Sequence, residues 1–98
     1  MMPVSVAYGH VKSVRDVERI AREIFRQARA SKDPNEIRYL IQNRLAYLVT
    51  LTYSPGYKRI LGEKGAKEAR RRAYRIYLEA VAWANGRGIT IVPKVFDI

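Results

Sequence analysis

From residue 14 onward the apolar positions return at helical spacing. Val14, Val17, Ile20, Ala21, Ile24, Phe25 and Ala28 fall within one arc of about 140° when each residue turns the chain by 100°. Ser13 stands three residues before Asp16, a pair that can satisfy the free N–H groups of a first turn. This predicts a first helix over residues 14–30. The next run, Ile37, Leu40, Ile41, Leu45, Leu48, Val49 and Leu51, is apolar on nearly all sides. It opens on Asp33-Pro34-Asn35-Glu36: Asp33 can accept from the first turn, Pro34 has no N–H to lose there, and Glu36 can reach back. We read residues 33–53 as a central helix, which must be covered on several sides.

Tyr53-Ser54-Pro55-Gly56-Tyr57 breaks that helix, a short helical turn fits residues 58–61, and Gly62-Glu63-Lys64-Gly65 interrupts again. A third long helix follows over residues 66–85. Its inner face is Ala66, Ala69, Ala73, Ile76, Tyr77, Ala80, Val81 and Ala84, small enough for two helix axes to approach closely. Gly86 and Gly88 suit its end. Beyond them Ile89-Thr90-Ile91-Val92-Pro93-Lys94-Val95-Phe96 is β-branched and predicts a strand, which Pro93 limits to an edge. Its simplest partner is the amino-terminal stretch around Val4 to Tyr8, with Trp83 packing against one of these arms. The expected fold is mainly all-α: three long helices packed as a small bundle, with an extended arm at residues 1–12 and another at 89–98.

Composition adds a partner class. The 98 residues, 48% of them hydrophobic, suit one domain that buries its core without staples. There is no Cys, hence no disulfide framework, thiolate nucleophile or Cys-based zinc site. The net charge is +10, which opposes compaction by self-repulsion and is costly to keep without an anionic partner. Arg outnumbers Lys about two to one, as planar, bidentate phosphate contacts favour. No 18-residue apolar run and no signal-peptide pattern occur. A cytoplasmic place, or one inside a virion or nucleoprotein particle, is expected, with no membrane contact.

The charges are also ordered. Arg15, Arg19, Arg22, Arg26 and Arg29 repeat at steps of four and three, within an arc of about 80° opposite the apolar face of the first helix. Asp16, Glu18 and Glu23 neutralise this rail in part. Lys64, Lys67, Arg71, Arg72 and Arg75 gather at the start of the third helix, where the dipole already favours an anion. These ten residues are the candidate nucleic-acid contacts. Two such surfaces suggest wrapping or bridging.

Catalytic chemistry finds no constellation. His10 is the sole histidine, no nucleophile is spaced to it, and the carboxylates do not converge as metal ligands would: Glu68 and Glu79 share a face but stand about 16 Å apart along the helix axis, and Asp16 and Glu23 are two turns apart. We expect no catalytic residue, metal site or cofactor. The tyrosines 39, 47, 53, 57, 74 and 77 could stack on bases, but core-margin packing is the commoner use. Tyr53 and Tyr57, flanking the Pro-Gly turn, are the expected exposed pair. Arg44 falls amid the apolar face of the central helix, and a pairing with Glu79 or Glu36, or a place in an interface, would compensate its burial.

These readings converge on a non-enzymatic protein that coats or organises a nucleic-acid backbone with little sequence preference, DNA before RNA, as a homo-oligomer or filament. A scaffold subunit docking on acidic proteins is the alternative from another class. A helix-turn-helix reader would instead place Arg71, Arg72 and Arg75 at base edges. Ile60-Leu61-Gly62-Glu63-Lys64-Gly65 resembles the GXXG loop with which KH domains clamp single strands. That resemblance covers only residues 53–72. It implies single-stranded RNA or DNA binding through Gly62 to Gly65, and it requires a strand at residues 48–53 and a short helix after the loop.

Overall fold

The computed structural model describes residues 11–98; the predicted strand at Val4 to Tyr8 and His10 lie outside the described residues. Helix α1 is Val14–Ala30. A central helical rod comprises α2 (Pro34–Tyr39), a π-helical segment (Leu40–Leu45) and α3 (Ala46–Leu51), and helix α4 spans Pro55–Gly86. Among the described residues there is no strand, and the fold is all-α.

Each start follows its sequence. Ser13 Oγ accepts from Asp16 N–H at 3.2 Å, and Asp16 Oδ2 accepts from Lys12 N–H at 2.8 Å, so a reciprocal cap forms one residue wider than the usual box. Asp33 Oδ1 accepts from Asn35 N–H at 3.0 Å with Pro34 in the first turn. Glu36 does not close the expected box on Asp33. Its carboxylate takes the Ser31 hydroxyl, whose oxygen accepts from Asp33 N–H at 3.1 Å, so the box is relayed through Ser31.

The central rod differs from expectation in one respect that reorganises it. Its buried residues are Ile37, Leu40, Ile41, Leu45, Ala46, Leu48 and Val49, and they leave one side of the rod to solvent. In an unbroken α-helix each four-residue step from 37 to 41, 45 and 49 drifts by about 40°. The i→i+5 bonding of the π segment turns each residue by only about 80–85° and reduces that drift. The buried arc is thereby narrowed, and Tyr39, Asn43, Tyr47 and Thr50 are exposed on the open side.

Ser54 caps α4, accepting from Tyr57 N–H at 3.3 Å, with Pro55 in the first turn. The expected interruption falls at Gly62, where φ 78° and ψ 167° lie in a region essentially closed to residues with a Cβ. The long leg beyond this kink runs parallel to α1. Glu18 meets Arg72, Arg22 approaches Glu79, and Phe25 meets Trp83. The alanines of α4 permit that closeness, and at Gly65 a Cβ would stand 3.1 Å from Leu61 Cβ.

One apolar cluster joins all three helical stretches: Ile20, Ile24 and Phe25 of α1, Leu45 and Leu48 of the rod, and Ala73, Ile76 and Tyr77 of α4. Each fully buried Leu, Ile or Phe contributes about 1.5–3 kcal/mol. Residues 89–98 form no strand among the described residues, and the ribbon partner expected at Val4 to Tyr8 lies outside them. Side chains hold the arm at residues 89–98. Asn85 brackets Ile91, accepting from its N–H at 2.8 Å and donating to its carbonyl at 3.2 Å. Tyr77 Oη accepts from Lys94 N–H at 2.8 Å, Tyr53 Oη donates to Asp97 O at 2.7 Å, and Phe96 sits among Tyr53, Tyr74 and Tyr77. Trp83 lies edge-on to Phe25 of α1 at 6.0 Å with Arg87 4.8 Å from its ring; residues 1–10 of the amino-terminal arm, one of the two arms expected to meet it, lie outside the described residues.

Candidate nucleic-acid interface

The arginine rail is exposed along α1, but it is laced with carboxylates. Arg19 Nη2 reaches Asp16 Oδ1 at 2.7 Å, and Arg26 Nε reaches Glu23 Oε1 at 2.9 Å. Arg22 stands 3.9 Å from both Glu18 and Glu79. Arg29 lies over the Phe25 ring at 4.6 Å from its centroid. Arg15, at the amino end of the rail, has no ion pair among the described residues.

The parallel packing of α1 and α4 brings part of the second cluster to the rail. Arg72 bridges Glu18 of α1 at 3.0 Å and Glu68 of its own helix at 2.9 Å, and Arg71 takes the other Glu68 oxygen at 2.9 Å. Arg22, Arg72 and Arg75 line one shallow cleft of about 260 Å³ with Glu18 and Glu68. A phosphate entering there meets Arg22 and Arg72 already beside carboxylates, and Arg75 outside any ion pair among the described residues. These contacts hold Asp16 below the ordinary carboxylate range, mainly through the Lys12 N–H and with help from Arg19. Glu23 is lowered by the Arg26 hydrogen bond and Glu68 by that of Arg72. Arg26 and Arg72 are raised in turn by the same carboxylates.

Surplus positive charge lies elsewhere. Lys64, Lys67, Arg71 and Arg75, all exposed, share one stripe of about 80° along α4, and only Arg71 among them is in an ion pair. Sequence periodicity missed two further members. Lys58 and Arg59, on the short leg before the kink, are exposed and make no ion pair among the described residues, so the Gly62 corner carries four uncompensated cations. The signal was there in the charge run around Gly62, but a short turn gave no face to assign.

Arg70, between the stripe residues in sequence, has a different place. It is buried, donates from Nε to Thr52 Oγ1 at 3.2 Å and from Nη2 to Thr52 O at 3.0 Å, and lies 3.8 Å from the Tyr53 ring centroid. It thereby closes the carboxyl end of α3, where a cation suits the helix dipole. The Arg44 guanidinium lies 5.8 Å from the Tyr39 ring centroid, while Glu79 stands by Arg22 and Glu36 takes the Ser31 hydroxyl. Tyr57 is buried, so among the described residues the exposed tyrosines are Tyr39, Tyr47 and Tyr53.

The strand and short helix that a KH domain needs around its loop are not formed, since residues 48–51 are helical and the helix after Gly62 runs to Gly86. Among the described residues no three His, Cys, Asp or Glu side chains converge as metal ligands, and no helix is long and apolar enough to cross a membrane. Compared with protein-family models, curated proteins and solved structures, the chain matches none.

Proposed function

We propose that this protein binds the sugar-phosphate backbone of a nucleic acid, DNA before RNA, without catalysis and with little sequence preference. Its role is architectural or coating, in a chromatin-like filament or a virion nucleoprotein, assembled from several copies. The observation that carries this reading is the stripe of Lys64, Lys67, Arg71 and Arg75 beside the uncompensated Lys58 and Arg59. A charge that served solubility alone would be interleaved with acids, as the α1 rail is. Parallel packing also sets the amino end of α1, with Arg15, beside the amino end of the long leg of α4, and two dipoles there favour the same anion.

Fluorescence anisotropy with labelled duplex DNA across a salt series tests it. Each neutralised phosphate contributes about −0.9 to the slope of log K against log salt. Replacing Lys64, Lys67, Arg71 and Arg75 by Gln should make the slope shallower by about 3, while replacing Arg19, Arg22 and Arg26 by Gln should change it less, because those three already hold carboxylates. An unchanged slope in the α4 variant rejects the interface. No binding at low salt rejects the function and leaves an acidic protein as the partner.

A further inference from the structure

The solvent side of the π segment bears a groove of about 750 Å³, within the range of small-ligand sites, lined by Tyr39, Gln42, Asn43, Arg44, Tyr47 and, from the extended arm, Lys94. Its composition is unlike the basic stripe. Tyr39 and Tyr47 are 48% and 51% exposed, far more than the core-margin tyrosines of α4. Tyr39, Asn43 and Tyr47, all exposed, form a column of four-residue steps across the π segment, whose wider turn reduces the drift of about 40° per step of an α-helix. Segments of this kind recur at functional sites. Arg44 on one flank of the column and Lys94 on the opposing arm supply positive charge, and the amides of Gln42 and Asn43 offer both donors and acceptors.

We infer that this groove binds unpaired nucleotides of a single-stranded nucleic acid. Tyr39 and Tyr47, about 12 Å apart along the rod, each stack on an unpaired base of the same strand, Asn43 and Gln42 meet base edges, and Arg44 with Lys94 takes phosphates of the nucleotides between them. The chemistry requires those elements together, since stacking tolerates any base and the amides can pair with whichever edge is presented. A duplex offers this groove only stacked bases. The inference deepens the backbone-binding reading and rests on it. The alternating surfaces would let the stripe of α4 track phosphates while the groove holds a frayed end or a single-stranded stretch.

The test uses the full chain, a labelled 15-mer of deoxythymidylate and a labelled duplex of the same length. Replacing Tyr39 and Tyr47 together by Ala should weaken binding to the single strand about 10- to 100-fold, the range expected for two lost stacking partners. Duplex affinity should stay within about twofold. Both replacements are at exposed positions, and circular dichroism confirms the fold. Y39F with Y47F should retain single-strand affinity, because the rings remain. Equal losses on both probes, or no loss on the single strand, overturn the groove while leaving the backbone reading intact. A wild-type protein that binds neither probe overturns both.

Discussion

Glu18 of α1 accepts from Arg72 of α4 across the seam between the two parallel helices, 3.0 Å from Oε1 to Nη1. The same carboxylate stands 3.9 Å from Arg22, so one acid draws together cations that the sequence assigns to two separate surfaces. It restrains them structurally and competes with any phosphate for them. Glu18→Gln should therefore act in opposite directions on two observables. Thermal unfolding should shift slightly down, as half-exposed pairs contribute little, while duplex DNA affinity at low salt rises. Differential scanning calorimetry and anisotropy on the same preparation check this. A fall in affinity would show that Glu18 orients the arginines rather than occupying them.

Arg70 should behave unlike every other arginine of its cluster. Arg70→Ala removes both hydrogen bonds to Thr52 and the guanidinium over Tyr53, leaving the end of α3 unsatisfied. A loss of about 2–3 kcal/mol is expected, since hydrogen bonds to charged groups contribute more than neutral ones. Arg70→Lys should recover only part of it, because an ammonium cannot reproduce a two-atom fork. Urea unfolding measures the difference. Arg71→Ala, one residue on and exposed, serves as the control and should stay within about 0.5 kcal/mol.

The contrast between Arg70 and Arg71 marks how far the sequence could be read. Periodicity and caps identified α1, the central rod and the inner face of α4, because a buried helical face writes itself directly at i, i+3 and i+4. Periodicity also assumes one pitch. The π turn breaks that assumption, so the arc that the rod's buried residues occupy is narrower than a constant step of about 100° gives. Arg70 stands in the same run of arginines as Arg71 and Arg72, and its partner, Thr52, offers a carbonyl and a hydroxyl eighteen residues away that no local pattern points to. The arm at residues 89–98 has strand composition, but extended backbone can be satisfied by Asn85, Tyr77 and Tyr53 as well as by a ladder. The rail was visible as a pattern, and its neutralisation depended on a helix pairing that sequence does not specify.

The kink at Gly62 predicts a sharp difference between two glycines three residues apart. At Gly62 the positive φ with extended ψ makes any Cβ strained, at a cost of about 1–3 kcal/mol. A Cβ there meets no neighbouring atom within 4 Å, so the cost is of backbone origin and Gly62→Val should be no gentler than Gly62→Ala. Gly65 is helical. There Ala gains up to about 1 kcal/mol in helix propensity, set against the 3.1 Å approach to Leu61 Cβ, and the net change should be smaller. Equal destabilisation at both positions would reject the kink as the reason for Gly62.

Acid should weaken the α1–α4 region in a defined direction. Asp16, Glu23 and Glu68 all titrate below their ordinary values in the folded chain, held there chiefly by the Lys12 N–H, Arg26 and Arg72 respectively. A depressed folded pKa means that the fold favours the ionised form. The stabilisation is therefore complete above the unfolded values, about 3.9 for Asp and 4.3 for Glu, and is lost as pH falls through the lower folded ones. The raised values of Arg26 and Arg72 act only in strong alkali and do not offset this loss. Protonation also raises the net charge above +10, adding repulsion. The unfolding midpoint followed by circular dichroism should thus be nearly level from pH 7 to 5 and fall steadily from 4.5 to 2.5. Asp16→Asn, which retains an acceptor for the Lys12 N–H but not the charge, should flatten part of that fall. A midpoint that holds or rises between pH 4.5 and 2.5 would mean that these carboxylates are no better placed in the folded chain than in the unfolded one.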